Sequence, residues 1–123
     1  MKLTQETGDA TYRVRAYEAG RIHVNEASYD TSLLLAPNTL ITDWPPERFE
    51  DLDAEHIDAV LALEPEVVLL GTGDRQRFPS RAIMLAVLER GIGIEVMDTQ
   101  AACRTYNILM AEGRHVAAAL LLE

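Results

Sequence analysis

Two short apolar runs, each followed by a polar loop and then by a helical pattern, constrain the fold of this chain most. The first run covers residues 67–70 and the second covers residues 92–97. The first run is typical of a strand that is buried on both faces of a sheet, and the second predicts a further strand. If the two strands run parallel in one sheet, both of their connecting loops open on the same edge, where open α/β sheets usually bind ligands.

Helical periodicity, together with start and stop residues, predicts three helices. Asp53 is a suitable N-cap for the first helix, and Pro65 ends it. Pro79 suits the first turn of the second helix, and either Asp98 or Thr99 caps the third. The residues predicted to face inward are Ile57, Val60, Leu61, Ile83, Met84, Val87, Leu88, Ala102, Tyr106, Leu109 and Met110.

The N-terminal third alternates apolar and polar residues and contains frequent turn residues, which predicts antiparallel hairpins with neighbouring strands paired. The predicted strands cover residues 12–17, 21–24, 27–30, 32–36 and 39–42. Residues 116–122 are apolar on both faces, as in a central strand. The order of elements predicts a small three-layer α/β (α+β) domain over residues 1–123, in which N-terminal antiparallel hairpins precede βαβ units and the sheet is mixed.

Charge and cysteine content exclude several classes of function. The net charge is −9 and the pI is near 4.7, so the surface repels phosphate backbones and anionic lipids. A single cysteine gives no sign of an oxidising compartment. Residues 1–6 lack the apolar core of a signal peptide, and no run approaches 18 apolar residues. We therefore expect a cytoplasmic protein that neither binds nucleic acid nor inserts into a membrane.

The loop after the first apolar run has two interpretations. Residues 71–73 (Gly-Thr-Gly) suggest a dinucleotide fingerprint, but Gln76 occupies the position of its third glycine, and the ending of a P-loop is also missing. The backbone amides of such a loop can still receive an anion, with Arg75 and Arg77 supplying positive charge. The alternative is a tight strand exit whose arginines face solvent.

Cys103 and Trp44 each allow a structural and a functional interpretation. Cys103 lies near the start of the third helix beside Arg104, and both the helix dipole and a cation lower a thiol pKa. No His or Asp partner can be assigned to it from the spacing, and a lone cysteine is often a small core residue. Trp44, in a proline-rich loop, either anchors that loop or contacts a partner. No catalytic set, cofactor or metal site is predicted.

Taken together, several motifs resemble one known family. They are Trp44 and residues 65–73, 78–79, 91–99, 102–107 and 112–114. These motifs are similar to the small-domain family that includes the mitochondrial complex I assembly factor 3 and the adipogenesis-associated domain protein, with many uncharacterised bacterial members. The resemblance implies a three-layer β+β/α fold with a mixed central sheet, and it implies no catalytic activity.

Two functions follow as hypotheses. The resemblance implies a non-enzymatic binding or assembly module that is linked to respiratory complex I and has its subunits as protein partners. The alternative is an anion-binding protein or enzyme that uses the Gly71/Asp98 edge for a small molecule. The edge strands and the Trp44 loop would also allow a homodimer. The predicted site residues are Gly71, Thr72, Gly73, Arg75, Arg77, Asp98, Thr99, Cys103, Arg104 and Asn107, of which all except Arg75 and Arg77 match motifs of the family.

Overall fold

The computed structural model describes residues 11–123, so residues 1–6, where the signal-peptide pattern was sought, lie outside the described residues. Within that range the chain forms eight strands and three α-helices. The strands are β1 Val14–Glu18, β2 Arg21–Val24, β3 Ala27–Tyr29, β4 Leu33–Ala36, β5 Thr39–Ile41, β6 Val67–Thr72, β7 Gly93–Met97 and β8 Val116–Leu121. The helices are α1 Ala54–Leu61, α2 Arg81–Leu88 and α3 Thr99–Ala111.

The first three strands form a small antiparallel sheet in the order β1-β2-β3. Gly20 (φ +77°) and Asn25 (φ 51°) occupy the two turns, where a positive φ lets the chain reverse tightly. The register shifts within β1, because Val14 pairs with Val24 whereas Ala16 pairs with His23. One residue of β1 is therefore extra, which is a β-bulge. The predicted N-terminal hairpins are confirmed for these strands.

The other five strands form a mixed sheet in the order β5-β4-β8-β6-β7. Strand β6 runs parallel to both β7 and β8, and β4 runs antiparallel to β5 and β8. The prediction that all the early strands are successive neighbours is wrong at one point, because β3 and β4 belong to different sheets. All four residues of β4 are buried. A strand that is buried on both faces must lie in a sheet that is covered on both sides. Strand β4 therefore pairs with β8 and not with the half-exposed β3.

The five-stranded sheet lies between two apolar layers, which confirms the predicted three-layer architecture. Val67 and Leu69 of β6 face a core shared with the small sheet and α3. Val68 and Leu70, pointing to the opposite face, pack against α1 and α2. Strand β8 is buried along its whole length, as predicted for a central strand. No helix within residues 11–123 is long and apolar enough to cross a membrane.

Two of the predicted helix starts are confirmed and one is wrong. Asp53 caps α1 and accepts a hydrogen bond from Ala54 N at 2.7 Å. Asp98 caps α3 and accepts one from Ala101 N at 2.8 Å. The cap of α2 is Ser80, so Pro79 precedes the helix instead of occupying its first turn.

One predicted inward residue of α2 is also wrong. Leu88 is 51 % exposed, whereas Ile83 and Val87 are buried. Residues four positions apart lie on one face of a helix. Ile83 and Val87 are the buried residues of this eight-residue helix, and Leu88 falls beside their face.

Candidate functional site

The two predicted site loops meet at one edge of the five-stranded sheet and are tied to each other. Strands β6 and β7 are parallel, with Gly71 opposite Met97. Thr99 N donates to Gly73 O at 2.8 Å, and Gly73 N donates to Thr99 Oγ1 at 2.8 Å. Thr99 Oγ1 in turn donates to Leu121 O at 2.7 Å. The fully buried Thr99 side chain thus joins the ends of β6 and β8 to the start of α3.

The glycines of this edge allow the close approach. A Cβ at Gly71 would lie 3.0 Å from Thr99 Cα, which is closer than ordinary van der Waals contact. Gly73 has φ +97°, a backbone conformation that is strained for residues with a Cβ. A Cβ there would also lie 2.8 Å from a side-chain carbon of Glu123. Both glycines are therefore required by packing, whether or not a ligand binds.

The Thr72 side chain is also used internally. Its hydroxyl donates to Arg75 O at 2.7 Å, lies 3.2 Å from Met97 O and accepts from Arg77 N at 3.1 Å. These contacts fold residues 72–77 into a compact loop. The side-chain hydroxyls of Thr72 and Thr99 thus both form hydrogen bonds with backbone groups of this edge.

The three arginines that were predicted to supply charge do not converge. The charge of Arg77 is already paired within the protein: its guanidinium donates to Thr72 O at 2.7 Å, pairs with Glu123 and with Glu50, and lies 4.9 Å from the centre of the Phe49 ring. Arg75 is exposed to solvent. Arg104 lines a different groove, on the β1 side of α3.

The surface that remains open at the Gly71/Asp98 edge is acidic. A cavity of about 310 Å³ opens there, lined by Tyr17, Ala19, Gly73, Asp74, Asp98 and Gln100. The described residues that line it include two carboxylates and no arginine. An anion at this place would be repelled, so the geometry does not favour the anion-binding hypothesis, which stays a prediction.

Cys103 is a buried thiol with a high pKa. Its side chain lies between α3 and β1 and is 4 % exposed. Burial raises the pKa of the Cys103 thiol to about 12; the neighbouring Arg104 lowers it by a smaller amount, and Asp98 raises it further. Desolvation therefore exceeds the effect of the adjacent cation, and the thiol is neutral and weakly nucleophilic at neutral pH.

Asn107 connects α3 to the small sheet. Its Oδ1 accepts from Val14 N at 3.0 Å and its Nδ2 donates to Val14 O at 2.7 Å. One side-chain amide thus bonds to both the N–H and the C=O of Val14, as a neighbouring strand would. One position earlier on the helix, the buried Tyr106 hydroxyl donates to Tyr12 O at 2.7 Å. Burial also raises the pKa of the Tyr106 hydroxyl. Sequence reasoning missed both contacts, because each joins residues more than ninety positions apart.

Trp44 was predicted either to anchor its loop or to contact a partner, and the structure places it in the core. Its ring is 3 % exposed and its Nε1 donates to His56 O at 3.1 Å, which ties the loop before α1 to that helix. An exposed surface for a partner must therefore be sought elsewhere. Within residues 11–123, no three His, Cys, Asp or Glu side chains are grouped so that they could hold a metal ion.

Comparison with known proteins supplies a context for this geometry. A family model described as protein of unknown function (DUF498/DUF598) matches residues 14–121. A Francisella tularensis protein named 13 kDa major membrane protein is 30 % identical over 98 % of this chain and 99 % of its own length. The human NADH dehydrogenase [ubiquinone] 1 alpha subcomplex assembly factor 3 is 32 % identical over 97 % of this chain, which spans 65 % of that protein. A crystal structure from Bordetella parapertussis superposes with a TM-score of 0.89 at 43 % identity, covering 94 % of this chain and 99 % of that one.

Proposed function

The chain belongs to the DUF498/DUF598 family, and from that premise we propose that it is a non-enzymatic binding module that assists the assembly of respiratory complex I. The family resemblance inferred from the motif residues is confirmed by this membership and by the relatives that carry the name of complex I assembly factor 3. An assembly-related role is the function those relatives suggest, and the identity of the partner complex is our proposal.

One observation carries the proposal: the 32 % identity to the human assembly factor extends over 97 % of this chain. The site geometry supports it. The side chains of Thr72, Thr99 and Asn107 bond to backbone, and the Cys103 thiol is protonated at neutral pH. Among the residues described, these polar groups hold the fold and do not form the exposed acid, base and nucleophile that catalysis needs.

The proposal is tested by deleting the gene in the organism that carries it. We expect NADH:quinone oxidoreductase activity of the membranes to fall and subassemblies of complex I to accumulate on native gels. Succinate:quinone oxidoreductase activity serves as the matched control, because it uses the same membrane and quinone pool. A plasmid copy of the gene should restore the first activity without changing the second.

A deletion strain with normal complex I content and activity would overturn the proposed function. A fall in both activities would also count against it, because a general defect of the membrane is then sufficient. Affinity purification of the tagged chain gives a second measurement, in which complex I subunits should be enriched over a tagged unrelated acidic protein. Residence in the cytoplasm is part of the proposal, since the proposed partners include subunits exposed on that side of the membrane.

A further inference from the structure

We propose that the β1–α3 groove binds an acidic segment of a partner protein, an inference that rests on the proposed binding function. This groove lies between the outer edge of β1 and the exposed side of α3. It is defined by Arg13, Arg15, Tyr17, Gln100, Arg104 and Asn107. None of the core contacts described above fills it.

The groove is continuous because two cavities share its middle. A cavity of about 160 Å³ extends toward the start of α3, and another of about 550 Å³ extends toward the turn after β2. Both are lined by Val14, Arg15 and Asn107. The Asn107 amide, which is bonded to Val14, therefore forms the floor between them. An elongated site of this kind fits a segment of chain better than a compact molecule.

The charge of the groove is opposite to that of the chain. Among residues 11–123, Arg13, Arg15 and Arg104 line it together with one acidic residue, Glu26, whereas the whole chain carries a net charge of −9. Arg15 and Glu26 lie 3.6 Å apart with side chains 60 % and 93 % exposed. A pair so exposed contributes little stability, so a partner carboxylate can replace Glu26 at small cost. The groove is thus a local site for negative charge.

The β-bulge explains why Arg15 lies in both cavities. Arg15 is the residue between the two register positions, Val14 opposite Val24 and Ala16 opposite His23. A bulge bends its strand and redirects the side chain of the extra residue, and bulges are frequent at binding edges. Here Arg15 Nη1 donates to Asn25 O at 3.3 Å, which holds the guanidinium beside the turn after β2. The remaining guanidinium hydrogens are available for the paired bonds that a carboxylate accepts.

An acidic peptide fits these features better than other anions do. A nucleic acid or an anionic membrane presents a dense charge that the acidic remainder of the chain repels. A small free anion is held best by buried donors, whereas these arginines are exposed. A peptide brings separated carboxylates for the arginines together with apolar side chains. Those apolar groups can pack against Tyr17 and the buried edge of Cys103.

Fluorescence anisotropy tests the groove directly. The probe is a short fluorescein-labelled peptide in which Glu and Thr alternate, and the same peptide with Lys in place of Glu is the negative probe. We expect the Glu peptide to bind and its affinity to fall as salt is added. The variant Arg15→Glu/Arg104→Glu should weaken binding by about tenfold or more. The matched control, Arg81→Glu/Arg90→Glu, makes the same change of charge on the α2 side of the sheet and should bind as the wild type does.

Three results would overturn the inference: no binding of the Glu peptide by the wild type, equal weakening in both double variants, or stronger binding to phosphatidylserine vesicles than to the peptide. Dimerisation that Arg15→Glu/Arg104→Glu abolishes would assign the groove to a second copy instead. Circular dichroism melts exclude unfolding of the variants. The groove can fail separately from the proposed function. If the wild-type gene restores complex I in the deletion strain and the Arg15→Glu/Arg104→Glu gene does so equally, the groove is wrong while the assembly role stands.

Discussion

Replacement of Thr99 by Val tests whether the shared loop edge is held by one hydroxyl. Val has nearly the shape of Thr, so the change removes the hydroxyl and leaves the packing almost unaltered. The wild-type hydroxyl accepts from Gly73 N at 2.8 Å and donates to Leu121 O at 2.7 Å, and the side chain is fully buried. After the change, a buried N–H and a buried C=O have each lost a partner.

The size of the effect follows from those two groups. A buried polar group that loses its partner costs about 1–3 kcal/mol. Since two are affected, we expect Thr99→Val to lower the free energy of unfolding by about 2–6 kcal/mol. Thr99→Ser keeps the hydroxyl and loses one buried methyl, which costs about 1 kcal/mol. Thr105→Val, at a half-buried position of the same helix, should change stability by less than about 1 kcal/mol.

Urea unfolding, followed by the fluorescence of the single, buried Trp44, measures these differences. With a urea dependence of about 2 kcal/mol per M, Thr99→Val should move the midpoint down by roughly 1–3 M. The order of stability should be wild type, Thr99→Ser, then Thr99→Val. A Thr99→Val protein within about 0.5 kcal/mol of the wild type would refute the interpretation, because the hydroxyl would then contribute nothing to the edge.

Two further predictions concern α3. Asn107→Ala removes both hydrogen bonds to Val14 and should lower the free energy of unfolding by about 1–3 kcal/mol. Hydrogen–deuterium measurements should show faster amide exchange in β1. Unchanged exchange at Val14 would contradict this prediction. The pKa of Cys103 rises on folding from the ordinary 9.0 to about 12, so the native state holds the thiol proton more tightly than the unfolded state does. The resulting stability is complete below about pH 8 and is lost as the pH rises toward the pKa of the folded state. Urea midpoints should therefore fall more steeply with rising alkaline pH for the wild type than for Cys103→Ala. Equal dependence of the two midpoints on pH would contradict the assignment.

Local sequence patterns predict the central sheet well, for a physical reason. Residues 67–70 and 116–122 are apolar on both faces, and only strands covered on both sides can bury such runs. Asp98 is identifiable as a cap because its carboxylate bonds within one turn of the helix. Contacts between distant residues carry no such local signal. The pairing of Leu33 with Leu120, which separates β4 from the small sheet, is one example.

The position of the candidate site can be predicted from the sequence, but the roles of its side chains cannot. Adjacent parallel strands bring residues 71–73 and 98–99 to one edge whatever their side chains do. A threonine hydroxyl that bonds to backbone cannot be distinguished in sequence from one that bonds to a ligand. The direction of Arg77 depends on Glu123, which is 46 positions away. The bulge at Arg15 is equally hidden, because its cause is a register shift against β2.

Strand β8 has a kinetic consequence for the synthesis of the chain. It lies between β4 and β6, although it follows every other strand in the chain. The early hairpin β4–β5 and the later parallel pair β6–β7 therefore have no common partner until residues 116–121 have left the ribosome. Until then the edges of β4 and β6 that pair with β8 are exposed, and exposed apolar strands can aggregate. Completion of the five-stranded sheet therefore waits for the synthesis of β8.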